Sequence, residues 1–128
     1  MIVDSSAIIA IIRREPGFER ILGKLTEAPG AAVGAPTLAE CGIVLEARLG
    51  IEARGLLDRV LVDFEINTIH FNEEHWREAV AAFRRYGKGR HPANLNFGDC
   101  LTYAVARLAG EPLLFVGDDF ARTDIDAA

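Results

Sequence analysis

Short apolar runs alternate with amphipathic stretches along the whole chain. Met1-Ile2-Val3 reads as a buried strand that stops at Asp4. Ser5 or Ser6 can then cap a helix running through Ile8, Ile9, Ile11 and Ile12 to Arg13-Arg14. Pro16-Gly17 opens a second helix, with Phe18, Ile21, Leu22 and Leu25 at helical spacing, and Pro29-Gly30 breaks it. Ala31 to Gly34 is a second strand. The helix predicted from Thr37 to Leu49 carries Leu38, Cys41, Ile43, Val44 and Leu45. It is apolar over much of its circumference and is expected to be deeply packed.

The same rhythm continues after Gly50. Glu52 to Phe64 is helical, with Leu56, Leu57, Val60, Leu61 and Phe64 as its core face, and Ile66 to Ile69 is a third strand. Asn72 or Glu73 begins a helix whose predicted buried stripe is Trp76, Ala79, Val80 and Phe83. Tyr86 to Asn96 is polar and contains glycine, a loop of the length at which loops carry function. Gly98 leads into a helix with Leu101, Ala104, Val105 and Leu108 on one face, and Leu113 to Val116 is the last strand. Short apolar strands alternating with amphipathic helices predict an α/β fold, a parallel sheet covered by helices on both faces. At 128 residues, one domain spanning residues 1–128 is expected.

Composition narrows the setting. Half of the residues are hydrophobic and 26% are charged, as in soluble globular domains. No apolar run approaches the roughly 20 residues that span a bilayer, and Met1-Ile2-Val3-Asp4 lacks the basic start of a signal peptide, so a cytoplasmic location is expected. Cys41 and Cys100 lie in apolar helices without metal-ligand spacing, which predicts packing rather than redox chemistry. The net charge of −5 excludes a generally basic nucleic-acid surface but not nucleic acid itself, because a metal held by acids reverses the local field.

Four acids stand out by position. Asp4 follows the first strand, Asp118 follows the last, and Glu40 and Asp99 lie in the first turns of apolar helices. Each has an ordinary explanation. Asp4 can cap a helix, Asp99 can favour a helix N-terminus, Asp118 and Asp119 can form a turn, and Glu40 can pair with Arg48 two turns along. Jointly they fit another arrangement, because sites in open α/β sheets form beyond the carboxyl ends of strands at a switch point. Carboxylates gathered there repel unless a cation sits among them. An all-oxygen ligand set suits Mg²⁺ or Mn²⁺ rather than zinc, and His70, His75 and His91 show no metal spacing.

These residues resemble a known family. Met1-Ile2-Val3-Asp4-Ser5-Ser6-Ala7, Leu38-Ala39-Glu40, Leu95-Asn96-Phe97-Gly98-Asp99-Cys100 with Tyr103-Ala104, and Pro112 to Phe120 with Thr123-Asp124-Ile125 are similar to the motifs of PIN-domain ribonucleases. The particular likeness is to the VapC toxins of VapBC toxin–antitoxin pairs. The resemblance implies a PIN-like three-layer α/β/α fold with a four- or five-stranded parallel sheet. It implies a Mg²⁺- or Mn²⁺-dependent endoribonuclease, with Asp4, Glu40, Asp99 and Asp118 as catalytic acids and Asp4 and Asp99 as the principal metal ligands. Val116 stands where the family often has threonine, so Asp118 is taken as the fourth acid with Asp119 in reserve. The implied partners are an RNA substrate and a cognate VapB antitoxin whose C-terminal segment obstructs the site. A homodimer, within a larger toxin–antitoxin complex, is also implied.

Direct attack of water on the phosphodiester would leave 5′-phosphate and 3′-hydroxyl ends. Arg84, Arg85, Lys88 and Arg90 cluster in and before the polar loop, where Lys88 and Arg90 are candidates for contacting RNA phosphates. Ser6 can hydrogen-bond an acid, though capping its own helix is the first expectation. Rival classes fit less well. A haloacid-dehalogenase-like phosphatase needs a second aspartate where Ser6 stands, and a receiver domain needs an aspartate after a central strand. Neither G-x-G-x-x-G nor G-x-x-x-x-G-K-[ST] occurs.

Overall fold

A computed structural model describes all 128 residues. The strands are β1 (Ile2–Val3), β2 (Ala31–Gly34), β3 (Ile66–Ile69) and β4 (Leu113–Leu114). The helices are α1 (Ser5–Arg13), α2 (Phe18–Glu27), α3 (Ala35–Leu49), α4 (Arg54–Asp63), α5 (Glu73–Tyr86) and α6 (Phe97–Ala109). All strand pairings are parallel, in the order β3-β2-β1-β4. The chain thus builds outward from β1 in one direction and returns to its other side with β4. That reversal makes the crevice beyond β1 and β4 the switch point of the sheet.

Alternation along the strands creates the three layers. Val3, Val33 and Leu114 face a core with Ile8, Cys41, Leu45, Leu57 and Val60. Their neighbours Ile2 and Leu113 face a second core with Tyr103, Val105, Leu95 and Phe120. Successive strand side chains point to opposite faces, so a two-residue strand suffices to join both cores. The outer edge of β4 is partly covered by the chain's own end. Leu113 N donates to Asp126 O at 2.9 Å and Ala128 N to Leu113 O at 2.9 Å, an isolated bridge resembling a fifth strand. No helix is long and apolar enough to cross a membrane.

Several sequence expectations need correction. Asp4, not Ser5 or Ser6, caps α1, accepting from Ser6 N at 3.0 Å. α3 starts at Ala35, two residues before Thr37, since proline is accommodated in a first turn. β4 stops at Leu114, because Val116 N turns to a side-chain acceptor. The stripe on α5 is not buried: Trp76 is 48% exposed and Val80 53%, while Ala79 is covered. On α3, Ile43 is 70% exposed despite the apolar composition of that helix. The polar loop is pinned, with Lys88 N donating to Leu95 O and Leu95 N to Tyr86 O, both at 2.9 Å.

The segment after β4 is fastened at two places. Phe120 is buried against Phe115, with ring centroids 5.3 Å apart. Asp124 accepts from the buried Tyr103 hydroxyl at 2.6 Å, and from Arg85 at 3.2 Å and Arg107 at 3.3 Å. Those donors hold its carboxyl below the usual range, Tyr103 contributing most. Asp124→Ala is therefore expected to destabilise the fold by about 1–3 kcal/mol, mainly by leaving the Tyr103 hydroxyl unpaired. Urea unfolding measures this, and an unchanged midpoint would show that the clamp is dispensable.

Candidate active site

Asp4 is placed by the shortest route in the chain, one residue beyond β1 and at the N-cap of α1. It is only 4% exposed. Its Oδ2 accepts from both Ser6 N at 3.0 Å and Ser6 Oγ at 2.6 Å, leaving Oδ1 without a protein donor. The Ser6 hydroxyl accepts in turn from Val116 N at 3.0 Å. One serine therefore joins the first acid to the end of β4, across 110 positions of sequence. The capping role expected of Ser6 belongs to Asp4, and hydrogen bonding to an acid is what Ser6 does.

Asp99 sits at the third position of α6 in a reciprocal cap with Asn96. Asn96 Oδ1 accepts from Asp99 N at 2.9 Å, and Asp99 Oδ2 accepts from Asn96 N at 3.0 Å. This arrangement satisfies two helix-end donors at once and fixes the carboxylate in the first turn. Asp99 Oδ1 stays free of protein donors. Burial pushes the Asp99 carboxyl up to about 6; the Asn96 amide opposes the shift, and the charges of Asp4, Asp119 and Glu40 add to it. The strands and helices thus bring Asp4, Glu40 and Asp119 within electrostatic reach of Asp99.

Glu40 comes from α3, half-buried, with its carboxylate against the backbone of Gly98 in α6. Arg48 does not pair with it, and no ion pair in the chain involves Asp4, Glu40, Asp99, Asp118 or Asp119. Asp118 and Asp119 are both exposed, and the charge of Asp119 is one of those that raise Asp99. Cys41 lies beside the same acids. Burial pushes its thiol up to about 12, reinforced by Asp4 and Glu40, so it remains a neutral packing group. Below the acids, the buried hydroxyls of Thr37 and Thr102 hydrogen-bond at 3.1 Å and tie α3 to α6.

The acids do not form a closed cage of three metal-ligating groups. They do supply a hard, all-oxygen donor set with one open oxygen on each of Asp4 and Asp99. That suits an ion such as Mg²⁺, which keeps several waters and takes only one or two carboxylates directly. The residues therefore fit a hydrated divalent cation. Sequence reasoning missed the closeness of Gly98 to Glu40, which a glycine in a motif signals only ambiguously. It also missed the Asn96 cap, for which N-x-x-D before an apolar helix was a readable sign.

Of the basic residues, Arg85 is committed to Asp124 and Tyr86. Lys88 and Arg90 are exposed, Arg90 lying 5.2 Å from the centre of the Phe83 ring. They stand in the loop that leads directly into Asn96 and Asp99.

The chain matches the PIN domain family model over residues 1–126. It is 46% identical to ribonuclease VapC36 of Mycobacterium tuberculosis over 127 residues, covering 98% of this chain and 91% of the relative. Among solved structures it resembles Mycobacterium tuberculosis VapC20, a Sarcin-Ricin loop cleaving toxin, with TM-score 0.79, 17% identity and coverage of 99% and 97% of the two chains. A toxin–antitoxin complex from Klebsiella pneumoniae matches at TM-score 0.71 and 18% identity, covering 96% and 92%. The three-layer fold is thus the PIN fold, and nearly half of all positions agree with a curated VapC over almost the full length. On that ground the chain belongs to the PIN-domain family, among its VapC ribonucleases.

Proposed function

We propose that this protein is the toxin of a VapBC-type toxin–antitoxin pair, a Mg²⁺- or Mn²⁺-dependent endoribonuclease of the cytoplasm restrained by its cognate VapB. The observation that carries the metal-dependent reading is the gathering of Asp4, Glu40, Asp99 and Asp119 with no basic side chain paired to any of them. Asp4 and Asp99 would hold the ion, directly or through water, since each keeps one carboxylate oxygen free of protein donors. Glu40 and Asp119 complete the acidic wall, Asp119 being taken in place of Asp118 because its charge is among those that raise Asp99. A bound divalent ion would polarise the scissile phosphate and ease deprotonation of the attacking water.

The chain's own residues do the positioning. Ser6 and Asn96 orient the two principal carboxylates, and helix N-termini at both favour negative charge there. Lys88 and Arg90 contact the RNA backbone on approach, supplying affinity rather than sequence reading. The VapB reading rests on the VapC relatives, and the antitoxin's C-terminal segment would lie across the acids. A homodimer is supported by the open apolar face of Trp76, Val80, Phe83, Phe97, Leu101 and Ile43, where Phe97 is 80% exposed. Contiguous apolar surface of that kind marks an interaction site.

Asp99→Asn is expected to reduce Mg²⁺-dependent RNA cleavage by more than the roughly 10–100-fold that outer-sphere partners of a metal contribute. The same variant has a stability signature. The folded carboxyl titrates near 6, above its ordinary 3.8, so its ionisation costs metal-free stability progressively as pH rises between those values. Metal-free Asp99→Asn should therefore match the parent near pH 4 and exceed it above pH 6 in urea unfolding. Undiminished cleavage would sink the ligand role, and a variant less stable at pH 7 would make Asp99 a structural acid.

Replacing Lys88 and Arg90 together with alanine should lower the slope of log binding constant against log salt by roughly 1.4, about 0.7 for each phosphate of single-stranded RNA that is no longer neutralised. An unaltered slope for an inactive Asp4→Asn background carrying the two changes rejects the backbone role. Phe97→Asp, at an exposed first-turn position, should convert a dimer to a monomer in light scattering without lowering Tm. A parent chain that is monomeric at every concentration tested removes the dimer from the proposal.

A further inference from the structure

Gly98 occupies the second position of α6, in ordinary helical backbone that any residue adopts. Its lack of a side chain is therefore not required by backbone conformation. On propensity alone alanine would serve the helix better. Space is the remaining reason. A methyl at this position would overlap Glu40 Oε2, and would stand 2.9 Å from Glu40 Cδ and 3.3 Å from Oε1. The three heavy atoms nearest to that absent methyl all belong to Glu40.

The two helices cannot simply part to admit a larger residue. Thr37 lies three residues before Glu40 on α3, and Thr102 lies four after Gly98 on α6, so their hydrogen bond of 3.1 Å fixes the spacing one turn away from the contact. Both hydroxyls are buried and would lose their only partner on separation. The flexible end of Glu40 is what yields.

We propose that Gly98 is a positioning residue for the acidic pocket: the gap left by its missing side chain seats the Glu40 carboxylate, and any side chain there turns Glu40 out of the pocket. The inference rests on the metal-pocket reading above and deepens it. It places part of the ion's affinity in a residue that has no ligating side chain.

The test is Mn²⁺ binding, measured by calorimetry on the full chain without RNA, in a cycle of Gly98→Ala, Glu40→Gln and the double variant. Gly98→Ala is expected to weaken Mn²⁺ binding by roughly tenfold, the lower end of what orienting partners of metal ligands contribute. Its Tm should be no lower than that of the parent. In the Glu40→Gln background, Gly98→Ala should change the affinity by less than about twofold, since the anionic group it displaces is already gone. Glu40→Asp, whose shorter side chain retreats from the methyl, should restore part of the binding that Gly98→Ala removes. An equal loss in both backgrounds overturns the proposal, as does unfolding of Gly98→Ala, because the carboxylate and not the backbone must give way. A parent chain that binds no Mn²⁺ overturns the pocket reading itself, and this inference with it.

Discussion

The gathering of negative charge at the switch point of the sheet is the constraint on which the rest of the site depends. Two unit charges 4 Å apart near a protein surface repel by roughly 4 kcal/mol. A helix N-terminus returns only about 0.3–1 kcal/mol to each carboxylate. The dipoles of α1 and α6 can therefore favour Asp4 and Asp99 individually without offsetting their approach to one another and to Glu40 and Asp119. The Asp99 carboxyl is raised chiefly by burial, and the charges of Asp4, Asp119 and Glu40 add to the shift. No arginine or lysine of the chain pairs with these acids, which is why the proposed reading looks to a cation from outside the chain.

What holds the acids in place is a set of neutral hydrogen bonds rather than ion pairs. Ser6 links β1 to β4 through Asp4, Asn96 clasps Asp99, and the Thr37–Thr102 pair sets the distance between α3 and α6. Neutral donors suit this task. They orient a carboxylate through one oxygen while leaving the other free and the total charge unchanged. The charged pairs lie elsewhere, among them the C-terminal clamp where Arg85 and Arg107 meet Asp124. Structural cations and site acids are thereby kept apart, so the pocket's field is not quenched from within.

Much of this was legible before the structure, and for identifiable reasons. The strand-then-acid placing of Asp4 and the first-turn placing of Asp99 are local patterns, and short apolar strands separated by helices leave few topologies to choose from. Ser6 was harder, because its partner Val116 is remote in sequence and no local pattern announces the contact. Which of Asp118 and Asp119 belongs with the other acids was not legible, since both are exposed in the irregular turn after β4. Neighbouring residues of the same type carry no signal for that.

The apolar stripe of α5 failed as a core prediction for a different reason. Periodicity identifies a face of a helix but not what covers it, and the pattern written by a core is the same as that written by an interface. Here Ala79 meets the body of the protein while Trp76 and Val80 look outward. Ile43 and Phe97 extend the open surface to the groove that also contains Glu40 and Gly98. The site therefore borders apolar ground on one side, and the exposed Lys88 and Arg90 loop lies before its Asp99 helix. A partner seated on that face would exclude water from beside Glu40, and less water strengthens every charge interaction inside. A face that reads as surplus hydrophobicity in the isolated chain thus bears on the electrostatics of the acids next to it.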